Sequence, residues 1–181
     1  MFAKLGAKVL DADKIAHEVL NKREVARKIG KKFGKEILLK QKVEPKKLAA
    51  VVFDDSKKLK QLENIIHPQV EREFRKKLIY YRKNYPHGFV VLDVPLLFEA
   101  GWDRYADVAI VVKVRQDLQV KRAVFRLGIS KNEALQRIHS QMPLKDKIRL
   151  ADMIIDSSNN LKITRKQVKR IWQKLQQRKR K

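Results

Sequence analysis

The sequence predicts an α/β fold with a parallel sheet, layered as helix, sheet and helix. Short apolar runs of strand length occur at four places, and helical patterns separate all of them. The runs are continuous rather than alternating, as expected for strands that are buried on both faces. The 181 residues are 44% hydrophobic, which is enough for the core of a single domain over 1–181.

The first element reads as the end of a helix. Gly6 follows Met1 to Leu5 at the position where helices commonly end in left-handed backbone. Such a short helix does not form alone, since isolated helices below about 12 residues are marginal. We therefore expect this segment to be the tail of an element whose beginning is absent from the sequence. In α/β proteins a strand and a phosphate-binding loop often precede such a helix.

Acidic residues follow the first two predicted strands. Asp11 and Asp13 come after the strand at 7–10, and Asp93 ends the strand at 89–93. Ligands of open parallel sheets bind at the carboxyl ends of the strands, where a carboxylate can accept a proton or hold Mg²⁺. Asp11 and Asp13 could instead cap the helix at 14–20. We favour the cap for Asp11 and leave both readings open for Asp13. Asp93 could also be a turn residue.

The segment between these two strands is predicted to be a helical lobe, over 14–86. We expect helices at 45–53, 56–66 and 68–81, with Ser56 as a cap and with a break at His67 and Pro68.

Two more strands are predicted, at 108–112 and 153–155, with helices around them. A helix at 118–126 precedes a capping box formed by Ser130 and Glu133. The helix that this box begins is expected to end at Pro143. The final helix starts at Leu161, with Thr164, Val168, Ile171, Trp172 and Leu175 on its apolar face.

Cations are concentrated in 115–151. Arg122 and Arg126 are four residues apart and therefore share a helix face. Such a pair can hold a transferring phosphoryl group between its guanidinium groups, although a solvated face is an alternative reading. The other cations of this segment are Arg115, Lys121, Arg137, Lys147 and Arg149.

Composition and motifs exclude several function classes. The absence of cysteine excludes disulfides, thiolate metal sites and cysteine catalysis, and it fits a cytoplasmic location. The sequence contains no apolar run of membrane-spanning length, no secretory signal pattern, no HExxH and no GxGxxG. It also contains no G-x-x-x-x-G-K-[ST] run.

The net charge of +24 is unevenly distributed. Residues 87–160 have 11 Lys or Arg against 9 acids, whereas residues 161–181 have 10 against none. An excess of positive charge favours polyanionic partners such as nucleic acid, anionic lipid or phosphorylated small molecules. A lysine-rich solvated surface is the alternative.

Three segments together resemble the dephospho-CoA kinase family. They are Val9-Leu10-Asp11-Ala12-Asp13-Lys14-Ile15-Ala16-His17, then Asp93 with Val94-Pro95-Leu96-Leu97-Phe98-Glu99, and the stretch from Arg126 through Gln141-Met142-Pro143-Leu144 to Asp156. Phe53 and Ile66-His67-Pro68 match the helical insertion of that family. The similarity extends from Phe2 to about Leu175.

The resemblance implies a P-loop kinase fold, with a five-stranded parallel sheet, a helical acceptor lobe at 14–86 and a mobile lid at 115–151. The implied reaction transfers the γ-phosphoryl group of ATP to the ribose 3′-hydroxyl of dephospho-CoA, the last step of coenzyme A synthesis. ATP and Mg²⁺ are the implied cofactors.

The resemblance also implies roles for individual residues. Asp13 would be the general base, and Arg122, Arg126 and Arg137 would be lid cations near the phosphates. Gln141 and Lys147 would order the lid. Asp93 would act through Mg²⁺ or structurally, and Asp11 and His67 would lie on the acceptor side.

The sequence departs from the family at its start. The family's first strand, which is central in its sheet, and its P-loop would directly precede Met1. We therefore expect the 181 residues alone to have little kinase activity and low stability. Two alternatives stay open: another small-molecule kinase of the same fold, such as a nucleoside monophosphate kinase, and a basic protein that binds nucleic acid through 161–181.

Overall fold

The computed structural model describes residues 1–52 and 55–179. The chain divides into two compact units. The first unit is Ala7–Val94, and the second unit consists of Met1–Gly6 and Pro95–Lys181.

The first unit contains one parallel strand pair and a set of helices. Its elements are, in order, β1 (Lys8–Asp11), α1 (Ala12–Leu20), α2 (Arg23–Phe33), β2 (Leu38–Leu39), β3 (Lys42–Val43), α3 (Pro45–Val52), α4 (Ser56–Asn84) and β4 (Val90–Asp93). β4 lies parallel to β1, with Lys8 opposite Val90 and Asp11 opposite Asp93. The carboxyl ends of both strands therefore lie at the same edge, as the sequence predicts.

The helices of the first unit pack through apolar residues three and four positions apart. α1 buries Ala12, Ile15 and Val19, and it packs against α4, in which Phe74 is fully buried. Two ion pairs join α4 to this region: Lys77 to Glu18 and Lys22 to Glu73, both with N···O distances of 2.8 Å. Residues 14–86 are mainly helical, as the sequence predicts.

The predicted break at His67 and Pro68 is wrong. α4 runs without interruption from Ser56 to Asn84, and its cap is Asp55 rather than Ser56. Pro68 removes one helical hydrogen bond at a cost of about 3 kcal/mol. Burial of large apolar side chains contributes about 1.5–3 kcal/mol each, and α4 buries Phe74 and Leu78 beyond the proline. Tertiary packing therefore outweighs the local cost of proline.

A small hairpin within the lobe was not predicted. β2 and β3 pair antiparallel, with Leu38 opposite Val43. Their turn residues Lys40 and Gln41 have positive φ values of 48° and 65°. The sequence has no glycine or asparagine at this turn, so the usual hairpin signal is missing. The helix at 45–53 is confirmed as α3 to Val52, and Phe53 lies outside the described residues.

The second unit contains the other parallel pair. A 3₁₀ helix at Phe2–Leu5 and another at Trp102–Tyr105 accompany β5 (Ile110–Lys113), α5 (Gln116–Leu127), α6 (Lys131–His139), α7 (Leu144–Leu150), β6 (Met153–Asp156) and α8 (Leu161–Lys179). β6 lies parallel to β5, with Ile110 opposite Met153.

The core of the second unit joins β6 to α8. Ile155, Val168 and Ile171 are buried together, and Phe2, Leu5, Ile110, Met153 and Leu175 pack against them. Gly6 ends the first 3₁₀ helix with a φ of 101°, which confirms the left-handed stop that was predicted there. The capping box of Ser130 and Glu133 is confirmed at the start of α6.

Two expectations for the sheet and the helices need correction, and one helix was not predicted. The described strands form separate two-stranded sheets, so the implied five-stranded sheet is not observed within 1–52 and 55–179, and a missing central strand is not confirmed. α6 ends at His139 rather than at Pro143. α7 was not predicted, because its seven residues are too few for a clear apolar period.

Candidate active site

Three carboxylates lie near one another at the carboxyl edge of the first unit's sheet. The register places the last residues of β1 and β4, Asp11 and Asp93, opposite each other. Asp13 follows in the first turn of α1, and the charges of Asp11 and Asp93 both act on it. The structure thus brings Asp93 close to Asp11 and Asp13, although about 80 residues separate it from them in the sequence.

Asp11 has a local structural role. Its carboxylate accepts a hydrogen bond from the backbone N–H of Lys14 at 3.0 Å, so it is the N-cap of α1. The ammonium group of Lys14 lies 3.8 Å from the other carboxylate oxygen. The favoured reading of Asp11 as a cap is confirmed.

Asp13 is the carboxylate of this group whose pKa is raised. Partial burial raises the pKa of Asp13 above its ordinary value of 3.8, and the negative charges of Asp11 and then Asp93 raise it further. The residue as a whole remains exposed, so a substrate can approach it. A raised pKa makes a carboxylate a stronger proton acceptor, which suits a general base.

An open depression of about 450 Å³ lies over this edge. Asp11, Asp13, Lys14, His17 and Glu18 line it. Sequence reasoning missed the last three as site residues. The spacing of Lys14, His17 and Glu18 places them on one helix face, and this was the available signal.

The other expected acceptor-side residues have different surroundings. Asp93 is exposed at the end of β4 and acts on Asp13 through its charge. His67 is exposed within α4 and is not among the residues that line the depression.

The carboxylates do not make a metal site by themselves. Within residues 1–52 and 55–179, no three His, Cys, Asp or Glu side chains are grouped closely enough to hold a metal ion. Mg²⁺ prefers near-octahedral oxygen ligands and usually keeps several waters or substrate phosphates among them. The residues at this edge therefore do not fit a protein-built Mg²⁺ site.

The second unit holds the predicted lid cations. Arg122 and Arg126 are exposed on α5, and Arg137 is exposed on α6. The guanidinium group of Arg122 donates to the Oγ of Ser157 at 3.3 Å and to its carbonyl oxygen at 3.0 Å. These bonds hold Arg122 against the loop that follows β6.

Hydrogen bonds and an ion pair hold the loop that follows β6 in place. Asp156 accepts a hydrogen bond from the backbone N–H of Ser158 at 2.8 Å, and its other oxygen lies 3.2 Å from the ammonium group of Lys113. The hydrogen bonds to Ser158, followed by Lys113, lower the pKa of Asp156 to about 2. The Oγ of Ser158 accepts from the backbone N–H of Arg115 at 3.0 Å, which joins the loop to the start of α5.

Lys147, which lies in the predicted lid at 115–151, forms a weakly exposed ion pair. Its ammonium group lies 2.8 Å from Oε1 of Glu99 and donates to the carbonyl oxygen of Pro95 at 3.4 Å. The same Glu99 oxygen accepts from the backbone N–H of Met142 at 3.0 Å. The side chains of Lys147 and Glu99 are only 14% and 22% exposed. Gln141, by contrast, is exposed.

Glu99 is a residue that sequence reasoning quoted but gave no role. Desolvation raises its pKa, but the hydrogen bonds from Lys147 and Met142 and the charge of Lys147 outweigh it, so the pKa of Glu99 is lowered overall. Glu99 thus remains ionised and joins three separate segments of the second unit. The pairing with Lys147 could not be inferred from spacing, because 48 residues separate them in the sequence.

The comparisons with known proteins point to one family. The family model for dephospho-CoA kinase matches residues 1–163. The dephospho-CoA kinase of Carboxydothermus hydrogenoformans is 41% identical over 173 residues, covering 94% of this chain and 84% of that protein. The enzyme of Helicobacter pylori strain 26695 is 41% identical over 172 residues, covering 94% and 86%.

A solved structure agrees with the sequence matches. The dephospho-CoA kinase from Campylobacter jejuni superposes with a TM-score of 0.72 at 30% identity, covering 97% of this chain and 88% of that chain. The family model, the sequence identity over nearly the full length and the structural match lead to one conclusion. The chain belongs to the dephospho-CoA kinase family.

Proposed function

We propose that Asp13 is the general base of the dephospho-CoA kinase reaction in this chain. The observation that supports this role is the raised pKa of Asp13 at the strand-end edge, close to Asp93 and to Asp11, the N-cap of α1. Asp13 accepts the proton of the ribose 3′-hydroxyl. The freed 3′-oxygen forms a bond to the γ-phosphorus of ATP, the bond from that phosphorus to the β–γ bridging oxygen breaks, and ADP leaves.

Asp11 and Asp93 assist Asp13 rather than replace it. Asp11 fixes the start of α1, and with it the position of Asp13 two residues later. The charges of Asp11 and Asp93 make Asp13 more basic. We keep His67 as a proposed acceptor-side residue on the resemblance alone.

Arg122, Arg126 and Arg137 are proposed to neutralise the phosphate charge that builds up during transfer. Phosphoryl transfer depends mainly on positioning and on electrostatic stabilisation, for which arginine is well suited. Two features support the proposal: the four-residue spacing of Arg122 and Arg126, and the exposure of all three side chains. The bonds from Arg122 to Ser157 would keep that guanidinium group in a defined place.

Lys147 is proposed to order the lid through Glu99. The pair connects residues 95–99 to Met142 and to α7, so it fixes the segment that follows α6. Gln141 directly precedes Met142 and is proposed to help order the lid and to bind substrate from this segment.

ATP is the phosphoryl donor of the family, and Mg²⁺ is proposed as its companion ion. Mg²⁺ supplies charge neutralisation at the phosphates when it is bound. Because no three acidic or histidine side chains of the described ranges 1–52 and 55–179 converge, the ligands of the ion would come largely from the nucleotide.

The location and partners follow from the chemistry of the substrate. Every helix within the described ranges 1–52 and 55–179 is too short or too polar to cross a membrane. The acceptor dephospho-CoA carries a free thiol, and thiols persist in reducing compartments. We therefore propose the cytoplasm as the location and a small molecule as the partner in this reaction.

The test compares Asp13→Asn with the matched variant Asp107→Asn, which changes an exposed aspartate in the second unit. Transfer of labelled phosphate from ATP to dephospho-CoA is measured alongside calorimetric binding of dephospho-CoA. Because the sequence contains no G-x-x-x-x-G-K-[ST] run, turnover is measured twice. One protein is the chain itself, and the other is the chain preceded by a strand and such a loop from a P-loop kinase.

We expect Asp13→Asn to lower turnover by about 10²-fold or more while dephospho-CoA still binds, as for loss of a general base. Asp107→Asn should change neither quantity. Normal turnover by Asp13→Asn, in whichever protein is active, would remove Asp13 from the base role.

A further inference from the structure

The C-terminal helix α8 carries a regular row of cations, none of which has a proposed role in the kinase reaction. Five lysine or arginine residues recur at every fourth position along it, and all five are exposed: Lys162, Lys166, Arg170, Lys174 and Arg178. Arg165 and Lys169 are exposed beside this row. Residues 161–181 contain no acidic residue, so no partner charge is available within the helix.

The apolar face of α8 is already occupied. Val168 and Ile171 are buried against Ile155 of β6, and Leu175 packs on the same cluster. Trp172 lies 6.3 Å from Phe2, measured between ring centroids. Because these contacts fix the rotation of the helix, the cations are held on its solvent side.

The spacing of the row suits a chain of phosphates. Four residues of α-helix rise by about 6 Å, so the row repeats at about this interval. Successive phosphates of a nucleic-acid strand are likewise several ångströms apart. Like charges four residues apart repel each other and weaken a helix, and a polyanion lying along the row would relieve this repulsion.

We propose that α8 binds the sugar–phosphate backbone of nucleic acid, as an activity separate from phosphoryl transfer. The proposal does not rest on the roles assigned to Asp13 or to the lid cations. A basic block of this kind is a common polyanion-binding feature, and the regular row distinguishes this one from a diffuse basic surface.

The occupied apolar face favours nucleic acid over a membrane. Interfacial helices bury their apolar face in the lipid, whereas here Val168 and Ile171 are covered by the protein's own core. The only large apolar side chains of α8 that are exposed, within the residues described, are Leu161 and Ile163 in its first turn.

The mode of binding follows from the position of Trp172. Single-strand binders commonly add aromatic stacking to their phosphate contacts. Trp172 is instead half-buried and packs against Phe2. Binding through α8 should therefore depend on phosphate charge, with strong sensitivity to salt and little preference for base sequence.

The experiment measures fluorescence anisotropy of a labelled single-stranded DNA of about 20 nucleotides, titrated with the full chain at about 50–200 mM NaCl. One variant combines Lys162→Gln, Lys166→Gln and Lys174→Gln. The matched control combines Lys28→Gln, Lys31→Gln and Lys32→Gln on the exposed face of α2, which removes the same charge from a different surface. Circular dichroism checks that both variants remain folded.

We expect the α8 variant to bind DNA roughly 10-fold or more weakly. The slope of the logarithm of the binding constant against the logarithm of the salt concentration should become less steep by roughly 2, because each phosphate contact on a single strand contributes about 0.7 to this slope. The α2 control should keep most of the affinity. Equal losses in both variants would show that total charge alone drives binding and would overturn the proposal. Tighter binding to vesicles of phosphatidylserine and phosphatidylcholine than to DNA, at equal phosphate concentration, would overturn it in favour of a membrane.

Discussion

Asp13 is held in a position that disfavours its ionised form. Desolvation and the charges of Asp11 and Asp93 raise its pKa above 3.8, so the folded state binds a proton more readily than the unfolded state does. Stability therefore falls as the pH rises from 3.8 through the raised pKa of the folded state. Above that pKa the full loss of folding stability caused by ionising Asp13 is present.

The first prediction is that Asp13→Asn stabilises the fold at pH 7. Asparagine removes the repulsion by Asp11 and Asp93 without changing the shape of the side chain. Asp13 is exposed and solvent screens its charge, so the gain in the free energy of unfolding should not exceed about 1 kcal/mol. In a protein of this size that gain raises Tm by about 2–4 °C. Calorimetric melting at several pH values checks this, with Asp107→Asn as the control.

The pH dependence distinguishes this cause from a change in packing. Below pH 3.8 the aspartate is protonated in both the folded and unfolded states, so the advantage of asparagine should vanish. A gain in Tm that persists unchanged at low pH, or a loss of Tm at pH 7, would contradict the electrostatic account.

At the scale of elements, Glu99 holds α7 and the segment before it. It accepts hydrogen bonds from Lys147 and from the backbone of Met142, and only 22% of its side chain is exposed. We predict that Glu99→Gln lowers the free energy of unfolding by about 1.5–3 kcal/mol, the range for hydrogen bonds to charged groups. Hydrogen exchange of the amides in 142–150 should become faster, since these residues lose their anchor.

The control for Glu99 is Asp146→Asn. Asp146 pairs with Arg149 at 3.6 Å, but 78% of the Arg149 side chain is exposed, and exposed pairs contribute little. The pKa of Glu99 is lowered, so its contribution is present above its ordinary pKa of 4.5 and is lost as the pH falls through the folded-state value. If exchange at 142–150 is the same in Glu99→Gln and the unchanged protein at pH 7, Glu99 does not order this segment.

Elements with a clear apolar period were predictable from the sequence, and elements that depend on tertiary contacts were not. The strand at Val90–Asp93 and the amphipathic α8 were predicted because their patterns are local. The continuity of α4 through Pro68 was not, since it depends on the burial of Phe74 and Leu78 against the rest of the unit. The two-residue strands of the hairpin are too short to produce any pattern.

The same distinction applies to the candidate site. Asp11, Asp13 and Asp93 could be grouped from the sequence, because parallel strands end at one edge. The cap by Asp11 followed from its position before α1. The pairing of Glu99 with Lys147 could not be found in this way, because distant parts of the chain meet only after folding.

At the scale of the whole molecule, the dominant feature is the charge of +24 on 181 residues. Lysines and arginines outnumber acids by 44 to 20, and most ion pairs that the structure describes are exposed and join near neighbours along the chain. Exposed pairs contribute little to stability, so they do not offset the general repulsion. A large net charge favours solubility and polyanion binding at some cost to the compact state.

The final prediction is that salt stabilises this protein. The Debye length falls from about 30 Å at 0.01 M to about 10 Å at 0.1 M, which screens repulsion between cations across the molecule. Over this range we expect a gain of at least about 1 kcal/mol in the free energy of unfolding, which raises Tm by about 2–4 °C in a protein of this size. Calorimetry in NaCl at pH 7 measures this rise. The variant with Lys28→Gln, Lys31→Gln and Lys32→Gln carries three charges fewer, so its Tm should be higher at low salt and should respond less to salt. A Tm that falls with added NaCl would mean that the ion pairs outweigh the repulsion, contrary to the charge balance.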